Sequence, residues 1–228
     1  MDEVGRFRLG AMVGQGGTAE IRLATDLVSG DLVAVKRMRP DLLSEPEFAR
    51  RFEVEAALMQ QLDHPSILVA IDLVRIGNRR ALVTEFIDGQ DLLEMLRGEG
   101  ETIPLKPVLQ ACAQVARALD AAWSTRAVGS DVPMRLIHRD IKPANIRIHR
   151  HGQVKLLDFG IARANMERAA STAPDTMIGT YQYMAPERFD ERDGPEADVY
   201  ALGCVLYQLL RKERFLAGRN LHKHYIVM

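Results

Sequence analysis

Two aspartates, Asp140 and Asp158, each close an apolar run, and Lys142 and Asn145 lie between them. Residues 136–160 read Leu-Ile-His-Arg-Asp-Ile-Lys-Pro-Ala-Asn-Ile-Arg-Ile, then a short polar turn, then Val-Lys-Leu-Leu-Asp-Phe-Gly. An apolar run ending in an acid is the pattern of a buried strand that delivers a base or a metal ligand at its end. The turn at 149–152 between two short apolar segments reads as a hairpin. Such a hairpin brings Asn145 and Asp158 side by side at its open end. A base, an amide, an acidic metal ligand and a nearby lysine suit magnesium and phosphate chemistry. Taken singly, each aspartate reads first as a helix or turn cap, and Asn145 as a loop residue. The joint pattern is what carries the chemistry.

His138-Arg139-Asp140, Lys142, Asn145 and Asp158-Phe159-Gly160 stand at the spacing of the protein-kinase catalytic and magnesium loops. On these positions the chain resembles a bacterial, eukaryotic-like Ser/Thr protein kinase. The resemblance implies ATP with Mg²⁺ or Mn²⁺, and a protein substrate. It makes Asp140 the group that accepts or orients the substrate hydroxyl proton, and Lys142 the one that stabilises the transferring phosphoryl group. It assigns two metal ions to Asn145 and Asp158, and makes Arg139 the residue that meets a phosphorylated activation loop.

The elements that must position these groups begin upstream. Residues 7–38 read as three strands, with Gly14-Gln15-Gly16-Gly17 between the first two and Val33-Ala34-Val35-Lys36 closing the third. Glycines free the backbone to approach a ligand with its amides. The Gly-rich stretch alone reads as well as a tight turn, and Ala19 takes the family's third glycine position. Next, Ser44-Glu45-Pro46-Glu47 reads as a capping box opening a helix. Phe48, Phe52, Met59 and Leu62 form its apolar stripe, and Glu55 fills the gap in that stripe. An inward carboxylate needs a partner. The resemblance supplies Lys36, which would hold the α- and β-phosphates, while the stripe places Glu53 off the apolar face and so ranks Glu55 above it.

Two more strands, 71–76 and 80–86, lead to Glu85-Phe86-Ile87, which resembles the kinase hinge. The resemblance then makes Thr84 a small gatekeeper. It puts Ile21, Ala34, Glu85 and Ile87 beside the nucleotide, and leaves Asp91 either near the ribose or as a helix N-cap.

Residues from 88 onward read mostly helical. Val108, Cys112, Val115, Leu119 and Ala122 mark Leu105–Ser124 as a long amphipathic helix, with Trp123 in the core or at its rim. Residues 126–133 read as a surface insertion. Ser171, Thr172 and Thr176 lie in a small, polar stretch between Gly160 and Ala185-Pro186-Glu187 and are the expected regulatory phosphosites. The resemblance makes Thr180 the substrate-positioning threonine and Asp198 the acid that ties the central helix to the catalytic loop.

The expected fold is α+β and two-lobed. Residues 1–87 form an antiparallel sheet plus one helix, and 88–228 a mostly helical lobe lacking the family's last helices. A net charge of −1 gives no basic field for nucleic acid. The longest apolar tract, 197–210, contains Asp198 and is too short to span a bilayer. Cys112 and Cys204 fall in apolar helical stretches, which fits core packing, a reducing compartment and a cytoplasmic location. A longer parent chain could still carry a membrane anchor.

Two features pull against full activity. Arg147 stands where the family puts the apolar floor under adenine; it could stack on the base, keep its head in water or weaken ATP binding. Only residues 211–228 follow the central helix, which would expose that helix and leave Glu187 without its family partner. Reduced stability and a homodimer or covering partner are the expectation. The alternative function is a nucleotide-binding pseudokinase or scaffold. A small-molecule kinase of related fold is disfavoured by residues 179–187, which resemble a peptide-positioning loop.

Overall fold

The computed structural model describes residues 3–15, 19–39, 46–77, 79–98, 103–159, 181–190 and 192–215. Gly16, Gly17, Ser44, Gly160, Ser171, Thr172, Thr176 and Thr180 lie outside them. The chain divides into two compact units, residues 1–63 with 68–87 and residues 64–67 with 88–228.

The first unit is a six-stranded antiparallel sheet plus one helix. Its strands are β1 (Glu3–Val4), β2 (Phe7–Gln15), β3 (Ala19–Asp26), β4 (Leu32–Met38), β5 (Ala70–Ile76) and β6 (Arg79–Glu85), in the order β1-β2-β3-β4-β6-β5. Alternation along β2 and β4 puts Phe7, Leu9, Val33 and Val35 on one face, where Ala24, Ala81 and Val83 meet them. The register of β2 against β3 shifts twice, between Leu9 and Met12 and again between Met12 and Gly14. Such irregularities bend and twist a strand just before the Gly-rich stretch. Helix α1 (Pro46–Met59) buries Phe52, Ala56 and Met59, with Leu62 buried just beyond it. It therefore ends earlier than the apolar stripe predicts, because residues 60–62 close in turns whose amides bond to carbonyls three or four positions back.

The second unit opens with β7 (Gly89–Asp91) and helix α2 (Leu92–Arg97). The Asp91 carboxylate accepts the Glu94 N–H at 2.8 Å, and Glu94 Oε2 accepts the Asp91 N–H at 2.9 Å. This capping box makes Asp91 the N-cap of α2. Helix α3 (Leu105–Ser124) and helix α4 (Pro195–Arg211) pack on each other. Strands β8 (Ile146–His149) and β9 (Val154–Leu156) form the expected hairpin, and β7 pairs with β8. A Cβ on Gly89 would lie 1.9 Å from the Ile148 carbonyl oxygen, so only glycine fits there. Residues 64–67 belong to this unit because the Leu156 N–H donates to the Ser66 carbonyl at 2.8 Å and Ile67 bridges Leu156.

The buried face of α3 is Val108, Ala111, Val115, Ala118 and Ala122, which corrects the stripe drawn through Cys112 and Leu119. The two bulkier residues sit half-buried on the flank. The alanines face inward because short side chains let packed helices approach closely. Trp123 lies at the rim, with the Arg135 guanidinium 5.8 Å from its ring centre. Residues 126–133 form a surface loop closed at its base. Arg126 bridges Pro133, and the Met134 N–H donates to the Thr125 carbonyl at 2.8 Å. Its tip residue Val128 is 95% exposed.

Candidate active site

In the first unit, β4 ends its buried run with Lys36, whose Nζ lies 3.2 Å from Glu55 Oε1 on α1. The Glu55 side chain is 9% exposed, whereas Glu53 is 45% exposed and pairs with Arg80. The two glutamates thus separate as the gap in the apolar stripe predicts. Register places Ile21 opposite both Gly14 and Lys36, and Ala34 opposite Thr84. Thr84 is buried, and its hydroxyl donates to the Glu85 carbonyl at 3.2 Å. The Glu85 carboxylate turns back to accept the Val69 N–H at 2.8 Å. Ile87 is buried, while Gln15 at the end of β2 is exposed.

In the second unit the groups converge on Asp140. Its Oδ2 accepts from Lys142 Nζ at 2.8 Å and from Asn145 Nδ2 at 2.8 Å. Asn145 Nδ2 also donates to the Asp140 carbonyl at 2.7 Å. The Asn145 amide oxygen is therefore the atom left to offer a cation. The short turn Pro143–Asn145 sets Asn145 at the mouth of the β8–β9 hairpin, where its carbonyl accepts the Leu157 N–H at 2.8 Å. The hairpin thus brings Asn145 opposite Leu157, with Asp158 one residue further on.

Arg139 (φ 69°) and Asp158 (φ 43°) have left-handed backbones. For a residue with a Cβ this conformation costs about 1 kcal/mol or more, so the surroundings must hold it. Around Arg139 they do. Asp198, buried at the start of α4, accepts the His138 N–H at 2.6 Å and the Arg139 N–H at 2.8 Å. Arg188 donates to the Arg139 carbonyl at 2.8 Å. His138 is fully buried against Phe159, with ring centres 4.6 Å apart. Its Nδ1 accepts the Asp140 N–H at 3.2 Å, so Nε2 carries the proton and donates to the Leu157 carbonyl at 2.8 Å. Burial holds the His138 pKa below its usual value, which keeps this tautomer neutral. Burial also pushes the Asp198 carboxyl up, against the opposing pull of His138 and the two amides.

The Arg139 side chain turns to Asp193, Nε to Oδ2 at 2.5 Å. Asp193 stands in the run Arg192-Asp193-Gly194-Pro195, which reads from sequence as a turn before a helix; nothing there singles out its carboxylate. Arg147 reaches the Gly89 carbonyl with Nη2, and its Nη1 lies 3.9 Å from the Glu94 carboxylate. Its charge is engaged within its own unit, and stacking on a base would require breaking those contacts.

The donor set suits a small hard cation. Asn145 and Asp158 could each supply an oxygen to a divalent ion. Among the described residues no group of three or more His, Cys, Asp or Glu could hold a metal by itself.

Residues 7–227 match the protein kinase domain family. A probable serine/threonine-protein kinase of Corynebacterium efficiens is 40% identical over 211 residues, covering 90% of this chain and 30% of that protein. The serine/threonine-protein kinase PknB of Mycobacterium leprae is 40% identical over 214 residues, covering 91% and 33%. A probable serine/threonine-protein kinase of Streptomyces coelicolor is 39% identical over 212 residues, covering 90% and 30%. The chain spans about a third of the length of the relatives it matches.

Proposed function

This chain belongs to the protein kinase domain family, and from that premise we propose that it transfers the γ-phosphate of ATP to serine or threonine hydroxyls of a protein substrate. The observation that carries the reading is the Asp140 carboxylate, held by Lys142 and Asn145 at 2.8 Å each in a loop anchored to Asp198. Arg147 alone does not favour a pseudokinase, because its charge is already engaged by Gly89 and Glu94.

In this reading the substrate hydroxyl forms the new bond to phosphorus as the bond from phosphorus to the ADP oxygen breaks. Asp140 orients the hydroxyl and takes up its proton. Lys142 moves from Asp140 towards the charge on the transferring group. Lys36, steadied by Glu55, holds the α- and β-phosphates, and the stretch Gly14, Gln15, Gly16 and Gly17 would help to place them. Ile21, Ala34, Thr84, Glu85 and Ile87 accept the base. Asn145 and Asp158 would hold the divalent ion, Mg²⁺ before Mn²⁺, which neutralises phosphate charge when bound. Thr180 positions the substrate, while phosphorylation at Ser171, Thr172 or Thr176 tunes the rate. The two free cysteines fit work in a reducing, cytoplasmic setting. No helix among the described residues is long and apolar enough to cross a membrane.

The test is transfer from labelled ATP, with Mg²⁺, to the chain itself and to a generic basic protein. Asp140→Asn should lower the rate by about 10²–10⁴-fold with unchanged folding. Absence of transfer by intact, folded wild type would overturn the proposal. Stabilisation by nucleotide without transfer would point to the binding-only reading.

A further inference from the structure

The Asp193 carboxylate lies between two guanidiniums. Its Oδ2 meets Arg139 Nε at 2.5 Å, and its Oδ1 lies 3.6 Å from Arg188 Nε. Arg188 is only 9% exposed and spends another nitrogen on the Arg139 carbonyl. Two cations are therefore packed side by side on the residue that precedes Asp140. Asp193 is the anion that contacts both guanidiniums and so offsets their mutual repulsion, while Asp198 also acts on Arg188. Arg139, which carries one of these cations and whose carbonyl accepts from the other, has a left-handed backbone, so it depends on its surroundings for its shape.

We propose that Asp193 is a positioning residue for Asp140. By neutralising Arg139 and Arg188 together, it lets Arg188 grip the Arg139 carbonyl and so fixes the turn that aims the Asp140 carboxylate. The chain thereby supplies from its own sequence an anion for the arginine beside the base. This inference rests on the kinase reading for its effect on rate, but not for its effect on the loop.

Asp193 is 27% exposed, so its action is mainly electrostatic and should respond to salt. The experiment compares wild type, Asp193→Asn, Asp193→Glu and Arg139→Gln, each as the whole chain, using ATP and a generic basic protein. Asp193→Asn should lower kcat about tenfold and leave KM for ATP within about twofold, since about 1.4 kcal/mol corresponds to a factor of ten. Asp193→Glu should recover most of the rate. Combining Asp193→Asn with Arg139→Gln should cost little more than Arg139→Gln alone, because both changes remove the same contact. Raising salt should slow wild type and spare Asp193→Asn.

Hydrogen exchange at the Asp140 and Ile141 amides provides a readout that needs no activity. It should quicken about tenfold in Asp193→Asn and return with Asp193→Glu. An unchanged kcat in Asp193→Asn, or a fall that the glutamate does not rescue, overturns the proposal. If wild type transfers no phosphate, the kinase reading falls, and exchange alone decides this one. Unaltered exchange then overturns it.

Discussion

Lys36 and Glu55 meet at the tips of their side chains, one from a strand and one from a helix. The Asp140 loop is gripped instead by its backbone. Asp198 takes two successive N–H groups, Arg188 takes a carbonyl, and the His138 ring takes the Asp140 N–H while donating to Leu157. The Lys36–Glu55 contact is made by side-chain atoms that are themselves largely shielded from water, so separating the two charges costs free energy. A loop held through its peptide groups cannot shift without leaving buried donors unpaired, which costs about 1–3 kcal/mol for each group. The first region is joined through side chains and the second through its backbone. For the phosphoryl transfer proposed above, a backbone-held loop would keep the Asp140 carboxylate in place.

The largest break in this contrast should come from Asp198→Ala. It strands two N–H groups and should destabilise the fold by about 2–5 kcal/mol, read as a lower urea midpoint together with loss of transfer. Similar stability in the variant would mean that the loop is not held as described. Glu55→Gln should act in the opposite manner. Transfer efficiency, as kcat/KM for ATP, should drop about 10- to 100-fold, the worth of one charge-assisted bond. Exchange at the His138, Arg139 and Asp140 amides should stay as in wild type. Faster exchange there would show the two regions to be one cooperative whole.

The smallest effect concerns pH. His138 has its pKa lowered by burial, so below about 6.5 the unfolded chain binds the proton more readily than the folded one. Its contribution to stability is complete above that pH and is lost as pH falls towards the folded value. The slope is at most about 1.4 kcal/mol per pH unit. Asp198 works in the opposite sense: its raised carboxyl contributes most at low pH and loses that contribution as pH rises through the folded value. The difference between wild type and His138→Gln isolates the histidine, and it should shrink below pH 6.5. A difference independent of pH would exclude a neutral, proton-resisting His138.

How much of this was legible beforehand depended on whether a residue broke a local pattern. Glu55 interrupts an apolar stripe, so its inward direction could be read from period alone, and Lys36 followed from the resemblance. Asp140, Asn145 and Asp158 stood out because acids end apolar runs there. On α3 the reading chose Cys112 and Leu119 over Ala111 and Ala118, since hydrophobic size says nothing about how closely two helices approach. Asp193 broke no pattern at all. It sits among Asp190, Glu191 and Arg192, where any carboxylate looks solvated. Only the chain's return to the catalytic loop, 54 positions away, picks it out. The engagement of Arg147 by Gly89 likewise depends on a strand pairing that joins distant segments.

The loop of residues 126–133 has a practical use. Its two ends are stitched together by the Arg126–Pro133 bridge and the Met134–Thr125 hydrogen bond, while Gly129 near its tip turns with φ 80° and Val128 stands in solvent. A tag, fluorophore site or short reporter peptide grafted between residues 128 and 131 would leave the base of the loop closed and α3 untouched. That makes it a suitable place to attach this protein to a surface or a probe.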